Sequence, residues 1–131
     1  MPERSRLEHV NITVSDGERT AAMLTALFGW RVRWRGLAAD GGRTIHVGEN
    51  DSYIAVYQPV AAHAPIARFA KGAPLNHIGV VVDDLDAVER KAENLGLVAF
   101  NHGDYEPGRR FYLFDPDGVE LEIVSYAPAP R

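Results

Sequence analysis

The first half of the chain alternates polar and apolar positions in short runs separated by one helical pattern. Residues 9–14 place valine and isoleucine on one side and His9, Asn11 and Thr13 on the other, which predicts a β-strand. A Ser-Asp-Gly turn then precedes residues 18–28, whose apolar positions have helical spacing. Residues 30–35 alternate aromatic or valine side chains with arginines, which predicts a strand with one apolar and one basic face, and residues 43–47 and 52–58 form a hairpin pattern. The predicted order is therefore β-α-β-β-β.

The second half repeats this order. Residues 76–82 predict a strand, residues 85–95 an amphipathic helix, and residues 97–101 a second strand. Residues 109–114 and 119–126 predict a closing hairpin around an Asp-Pro-Asp-Gly turn, in which proline presets φ and glycine accepts a positive φ. The segment between the second strand and the closing hairpin, residues 101–108, is expected to be a loop.

The two halves resemble each other in sequence as well as in pattern. Leu-Glu-His-Val-Asn-Ile-Thr-Val-Ser-Asp at residues 7–16 returns as Leu-Asn-His-Ile-Gly-Val-Val-Val-Asp-Asp at residues 75–84. We expect an α+β fold in which one module spans residues 7–58, a linker spans residues 59–74, and a second module spans residues 75–126 of a single domain, 1–131. Neither sheet could bury both of its faces alone, so the modules should pack side by side with their helices outside.

Composition and charge exclude several classes of function. The chain has 131 residues, a net charge of −4 and no cysteine, so a disulfide framework, thiolate metal ligands and a cysteine nucleophile are excluded. The acidic balance and the lack of a basic run give no support to nucleic-acid binding. No apolar run approaches the length of a membrane span or a signal peptide, so we expect no membrane partner and a cytoplasmic location.

The repeat also indicates a metal site. His9 and His77 occupy equivalent positions on polar strand faces, whereas Glu122 near the end of the second half corresponds to Ala55 in the first. Two imidazoles and one carboxylate are the ligand set of non-haem Fe(II) enzymes, and they also suit Mn, Ni or Zn. The sequence therefore predicts one divalent ion, with Fe(II) favoured, held by His9, His77 and Glu122. Structural histidines and a solvent-facing glutamate are the alternative.

The chain resembles the vicinal oxygen chelate superfamily, which includes glyoxalase I, extradiol dioxygenases, methylmalonyl-CoA epimerase, fosfomycin-resistance transferases and bleomycin-binding proteins. The resemblance spans residues 7–126 and is most specific at residues 75–80 and 111–122. It implies paired βαβββ modules that form a cup-shaped mixed sheet, with metal ligands at His9, His77 and Glu122. It also implies a homodimer and a small-molecule substrate.

Within this resemblance, Ala55 and Tyr112 favour some activities over others. Ala55 stands where glyoxalase I has a further ligand, and a methyl group neither binds metal nor takes a proton, so an isomerase or epimerase is disfavoured. Tyr112 resembles the tyrosine that extradiol dioxygenases place beside bound catechol. We therefore expect an extradiol-dioxygenase-like enzyme with Tyr112 and Glu122 as catalytic residues. A glyoxalase-like lyase, a fosfomycin-type transferase and a non-catalytic drug-binding protein are the alternatives.

Four further residues are candidates for substrate binding. Arg110 shares the Tyr112 face and could hold an anion, Trp34 and Tyr53 could form an aromatic pocket, and Asn11 shares the His9 face. Packing or solvated roles remain open for each of them.

Two other histidines are not predicted to belong to the site. By the repeat, His46 corresponds to Leu113 and should therefore face away from the site. His102 should be a surface residue of the 101–108 loop.

Overall fold

The structure is a computed structural model that describes residues 7–60, 75–105 and 108–126. It divides into two compact units, Met1–Ile66 and Ala67–Arg131. Of the predicted linker, residues 59–74, all but the first two positions lie outside the described residues.

The first unit contains one helix and a four-stranded mixed sheet. Its elements in chain order are β1 (His9–Thr13), α1 (Gly17–Phe28), β2 (Arg31–Leu37), β3 (Arg43–Gly48) and β4 (Tyr53–Gln58). The strand order is β1-β4-β3-β2, with β1 parallel to β4 and the other neighbours antiparallel.

The second unit repeats this architecture. Its elements are β5 (Ile78–Val81), α2 (Leu85–Asn94), β6 (Phe100–Tyr105), β7 (Gly108–Phe114) and β8 (Glu120–Ser125). The strand order is β5-β8-β7-β6, with β5 parallel to β8. The predicted α+β class and the βαβββ order of each half are confirmed.

Both helices begin at an aspartate that caps the first turn. The Asp16 side chain accepts a hydrogen bond from the Arg19 amide at 3.1 Å, and the Asp84 side chain accepts one from the Ala87 amide at 3.0 Å. Each carboxylate thereby satisfies an amide that has no partner within the helix. Helix α1 ends at Gly29, whose φ of 71° is the left-handed conformation that glycine adopts without strain.

Each helix covers one face of its own sheet, and this divides core residues from site residues. Helix α1 packs on β3 and β4, and α2 packs on β8. The helix-facing positions of the sheets are the buried ones: Ile45, Val47, Ile54 and Val56 in the first unit, and Phe111, Leu113, Leu121 and Ile123 in the second. Because side chains alternate along a strand, the intervening residues lie on the face away from the helix.

Strand β2 departs from the predicted alternation. The register with β3 shifts between Val32 and Trp34, so that Val32 pairs with Val47 and Trp34 pairs with His46. Val32 therefore faces the helix and Trp34 the opposite side, so the prediction of a single apolar face was wrong. The bulge absorbs Arg33 as the extra residue, and such bulges change the direction of neighbouring side chains.

Strand β6 begins and ends later than predicted. It spans Phe100–Tyr105 rather than residues 97–101, and its last pair with β7 is Tyr105 with Gly108, so residues 101–105 and 108 of the predicted 101–108 loop are strand, whereas residues 106 and 107 lie outside the described residues. Asn101 has a φ of 55° at the register shift between Phe100 and Gly103. Asparagine tolerates this left-handed conformation, which lets the strand continue past the irregularity.

Candidate functional site

The hairpin of β7 and β8 brings three predicted site residues together on the face away from α2. Tyr112 lies directly opposite Glu122 in the register, and Arg110 is two residues before Tyr112 on the same face. The Tyr112 hydroxyl donates to Glu122 Oε2 at 2.8 Å, and Arg110 Nη1 donates to the same oxygen at 3.1 Å. One carboxylate oxygen is thus held by a phenol and a guanidinium.

These contacts keep Glu122 ionised. Partial burial raises the pKa of the carboxyl group, but the hydrogen bonds from Tyr112 and Arg110, together with the charge of Arg110 and that of His77 when it is protonated, outweigh that effect and lower the pKa below its ordinary value. The side chain is only 15% exposed. A carboxylate in this setting is fixed in both orientation and charge.

His77, immediately before β5, faces the other oxygen of this carboxylate. Its Nε2 lies 3.5 Å from Glu122 Oε1, and its ring meets the Tyr112 ring edge-on with centroids 5.7 Å apart. Its Nδ1–H donates to Asn76 Oδ1 at 2.8 Å. In the neutral ring this hydrogen bond places the lone pair on Nε2, the nitrogen that faces Glu122.

The pair of His77 and Glu122 fits a divalent metal. Two ligand atoms about 2.1 Å from a tetrahedral ion such as Zn²⁺ lie about 3.4 Å apart, close to the observed separation of 3.5 Å between nitrogen and oxygen, whereas an octahedral Fe(II) ion would draw them to about 3.0 Å. A metal-bound histidine also typically donates its other ring N–H to an acceptor, as His77 does to Asn76. These two observations make the donor set suitable.

In the first unit His9 has the same local arrangement. Its Nδ1–H donates to Glu8 Oε1 at 2.8 Å, so the side chain of the preceding residue fixes the tautomer, as Asn76 does for His77. His9 is exposed at the start of β1. Equivalent histidines in the two units therefore both present Nε2 as the acceptor nitrogen.

His9 also begins a row of rings that crosses the first sheet, one from each strand. We call the set His9, Tyr53, His46 and Trp34 the ring row. The centroids of His9 and Tyr53 are 4.9 Å apart, those of Tyr53 and His46 are 4.4 Å apart, and those of His46 and Trp34 are 5.0 Å apart. Two of the three substrate candidates of this unit, Trp34 and Tyr53, thus belong to one continuous surface.

The prediction that His46 faces away from the site was wrong. His46 pairs with Ala55, and Tyr112 pairs with Glu122, so His46 is the structural counterpart of Tyr112 rather than of Leu113. The first hairpin is one residue shorter between these pairs, and a slip of one residue moves a side chain to the other face of a strand. Burial lowers the pKa of His46, and the positive charges of His9 and Arg33 add to this effect.

Arg33 is a second residue whose position beside the ring row was not predicted from the sequence. Its guanidinium carbon lies 4.5 Å from the centroid of the Tyr53 ring, a cation–π contact. Simple alternation grouped Arg33 with Arg31 and Arg35 on one basic face. The bulge in β2 is the reason for the difference, and no sequence signal marks it.

The remaining candidates have simpler surroundings. Asn11 is exposed in β1 and pairs in register with Ala55, which is 2% exposed. His102 is an exposed residue of β6 rather than of a loop, and its ring contacts Glu89 at 2.8 Å and Phe111. Since Phe111 lies on the helix-facing side of β7, His102 is not part of the Glu122 cluster.

Within residues 7–60, 75–105 and 108–126, no group of three or more histidine, aspartate or glutamate side chains stands ready to hold a metal ion. His77 and Glu122 come together in the second unit, and His9 belongs to the first. The three-ligand set that joins both halves therefore stays a prediction. No helix among the described residues is long and apolar enough to cross a membrane.

Comparison with known proteins identifies the family. The model of the Glyoxalase/Bleomycin resistance protein/Dioxygenase superfamily matches residues 6–123. The chain belongs to this superfamily. The resemblance inferred from residues 75–80 and 111–122 is thereby confirmed. A search of curated proteins gave no significant match.

Solved structures of the superfamily share the fold. A glyoxylase/bleomycin resistance protein/dioxygenase domain from Frankia sp. EAN1pec has a TM-score of 0.80 at 20% identity, covering 94% of this chain and 98% of its own. The fosfomycin resistance protein FosX from Mesorhizobium loti has a TM-score of 0.71 at 24% identity, covering 93% and 92%. A FosX mutant from Listeria monocytogenes, complexed with Mn(II) and 1S,2S-dihydroxypropylphosphonic acid, has a TM-score of 0.72 at 18% identity, covering 93% of each chain.

Proposed function

We propose that this superfamily member is a divalent-metal-dependent enzyme acting on a small substrate with neighbouring oxygen atoms. The ion would be held by His9, His77 and Glu122. The observation that carries the proposal is that the two oxygens of the Glu122 carboxylate face different groups. Tyr112 and Arg110 hold Oε2, whereas Oε1 faces His77 Nε2 at 3.5 Å.

Each residue of the second unit has a defined task in this proposal. A bound divalent ion supplies Lewis-acid stabilisation of negative charge on substrate oxygens. Glu122 stays ionised because Tyr112 and Arg110 donate to it, and Asn76 keeps the acceptor nitrogen of His77 turned toward Glu122. Tyr112 has a phenol that can donate to, or accept a proton from, an oxygen next to Glu122. Arg110 is engaged with Glu122 and the Gly108 carbonyl, so we assign it to positioning Glu122.

Extradiol-type ring cleavage with Fe(II) is the reaction to test first. It requires a catechol and O₂, and it suits three protein ligands with no fourth ligand at Ala55. The second candidate is fosfomycin-type chemistry. The FosX complex with Mn(II) and a dihydroxypropylphosphonic acid favours it, because that compound has hydroxyls on adjacent carbons. We further propose a cytoplasmic homodimer. Sedimentation of the purified protein would test the oligomeric state.

The first experiment measures metal content in protein purified without added metal and after incubation with Fe(II), Mn(II), Ni(II) and Zn(II). We expect stoichiometric metal in the parent and its loss in His77→Ala and Glu122→Gln. His102→Ala is the matched control, since His102 is an exposed histidine of the same unit that contacts Glu89 instead. It should retain the metal.

Protein reconstituted anaerobically with Fe(II) is then assayed on catechols in the presence of O₂. Protein loaded with Mn(II) is assayed on fosfomycin. Turnover that is lost in His9→Ala would support the three-ligand assignment. A parent protein that binds none of the four metals would refute the enzyme proposal and leave a binding protein of the bleomycin-resistance type. Metal retained in His77→Ala would refute the ligand assignment.

A further inference from the structure

The outer end of the ring row is a half-exposed tryptophan in a fixed position. Trp34 is 49% exposed, and one flank of its indole meets His46 with ring centroids 5.0 Å apart. A Cβ atom added at Gly36 would lie 2.6 Å from Trp34 Cζ2 and 2.8 Å from Cη2. The indole therefore lies over Gly36, in the space that the side chain of any other residue at position 36 would fill. An aromatic side chain held in this way loses little conformational freedom when a ligand binds.

Arg33 brings a positive charge to the same face. The three arginines of β2 differ in their partners: Arg31 donates to Asn50 at 2.9 Å and Arg35 to Glu18 at 3.0 Å. Arg33 instead lies over the Tyr53 ring, and no residue in the described part of the chain forms an ion pair with it, although its charge contributes, after the hydrogen bond and charge of His9, to lowering the pKa of the Glu8 carboxyl group. A guanidinium stacked on a ring keeps its N–H groups in the plane of the fork, where they can donate to a carboxylate.

From these observations we propose that the ring row binds a planar aromatic anion, whose ring stacks on Trp34 and whose negative group is held by Arg33. The ring row supplies π-faces across the sheet, and the Arg33 guanidinium lies over one of them, the Tyr53 ring. Aromatic stacking and charge pairing act on different parts of such a ligand, so both can be satisfied at once. The inference deepens the proposed function, because His9 belongs to the ring row and the ligand is the substrate class of that site.

The probe is 4-nitrobenzoate, a planar aromatic anion without neighbouring oxygen atoms on its ring. Binding is measured by calorimetry and by quenching of Trp34 fluorescence in a Trp30→Phe background, in which Trp34 is the remaining tryptophan. We expect saturable binding and little binding of cyclohexanecarboxylate, which has the charge without the planar ring. Neutral 4-nitrobenzyl alcohol should bind more weakly than 4-nitrobenzoate.

Three variants separate the contributions. Trp34→Ala should weaken binding of 4-nitrobenzoate roughly tenfold through loss of stacking. Arg33→Gln should weaken it about threefold to fivefold and leave binding of the neutral alcohol unchanged. Gly36→Ala keeps the indole but displaces it, so it should weaken binding and shift the Trp34 emission. Arg31→Gln is the matched control and should have no effect.

Two results would overturn the inference. One is equal affinity for 4-nitrobenzoate and cyclohexanecarboxylate. The other is an unchanged affinity in both Trp34→Ala and Arg33→Gln. The probe does not need the metal, so it should bind equally to the parent and to Glu122→Gln. Failure of metal binding with retained probe binding would therefore refute the proposed enzyme and support this inference, whereas the reverse result would refute the inference alone.

Discussion

Removal of the Tyr112 hydroxyl is the most direct test of how the Glu122 carboxylate is held. Tyr112→Phe deletes a 2.8 Å hydrogen bond to Oε2 and leaves the ring and the Arg110 contact in place. A hydrogen bond to a charged group contributes about 1.5–3 kcal/mol. Because Arg110 remains and the Glu122 side chain is 15% exposed, we expect the lower end of this range, about 1.5 kcal/mol.

The expected loss depends on pH in a defined direction. The folded-state pKa of Glu122 lies below its value in the unfolded chain, so the stabilisation is present above the unfolded pKa of about 4.5 and is lost as the pH falls through the folded pKa. The difference in unfolding free energy between parent and Tyr112→Phe should therefore be largest at neutral pH and disappear in acid. Urea denaturation at several pH values measures it.

The same variant tests the metal proposal. A residue that orients a ligand typically contributes tenfold or more to metal affinity, so we expect roughly tenfold weaker binding by competition with a chelator. Tyr57→Phe is the matched control, because the Tyr57 hydroxyl also donates to a carboxylate, that of Asp40, in the other unit. Equal metal affinity in Tyr112→Phe and the parent, together with an unchanged pH profile, would refute this account of Glu122.

Two further predictions concern stability. Burial raises the folded-state pKa of Asp115 despite the amide hydrogen bonds that it accepts, so its ionisation destabilises the fold as the pH rises through the unfolded and then the folded pKa. Asp115→Asn should remove this part of the pH dependence in thermal denaturation, and an unchanged profile would contradict the assignment. Gly48→Ala should lower the free energy of unfolding by about 2–3 kcal/mol, because the added Cβ would lie 2.5 Å from Tyr53 Cα. Gly79→Ala is the control, since its Cβ would make an ordinary 3.6 Å contact with Glu122 Oε1 and should cost less than about 1 kcal/mol. Equal losses of the two variants in urea denaturation would contradict the clash at Gly48.

The fold was predictable because both halves of the sequence carry the same pattern of strands and helix. Alternation at residues 9–14, the capping aspartates Asp16 and Asp84, and the Asp-Pro-Asp-Gly turn are local signals, and local signals fix element type and order. The pairing of Arg110, Tyr112 and Glu122 was also within reach, because alternation alone places residues 110 and 112 on one face.

The errors have a common origin in register. Counting from Ala55 at a constant offset placed His46 with Leu113, because the lengths of the two hairpin turns differ by one residue. The bulge at Arg33 and the left-handed Asn101 are likewise single-residue events. A one-residue change in register moves every later side chain of the strand to the opposite face. The hydrophobic pattern does not reveal this change when both faces of the strand carry aromatic or mixed side chains.

The difference between Ala55 and Glu122 bears on how such a protein can change over time. The two modules share one strand order, but the Glu122 carboxylate with its hydrogen-bond donors lies in the second module, whereas the ring row lies in the first. If the ring row binds ligand as proposed, substitutions at Trp34 or Arg33 would alter ligand preference without changing the charged residues around Glu122. Under the proposed ligand assignment, His9 is the one member of the ring row at which a substitution would also remove a metal ligand.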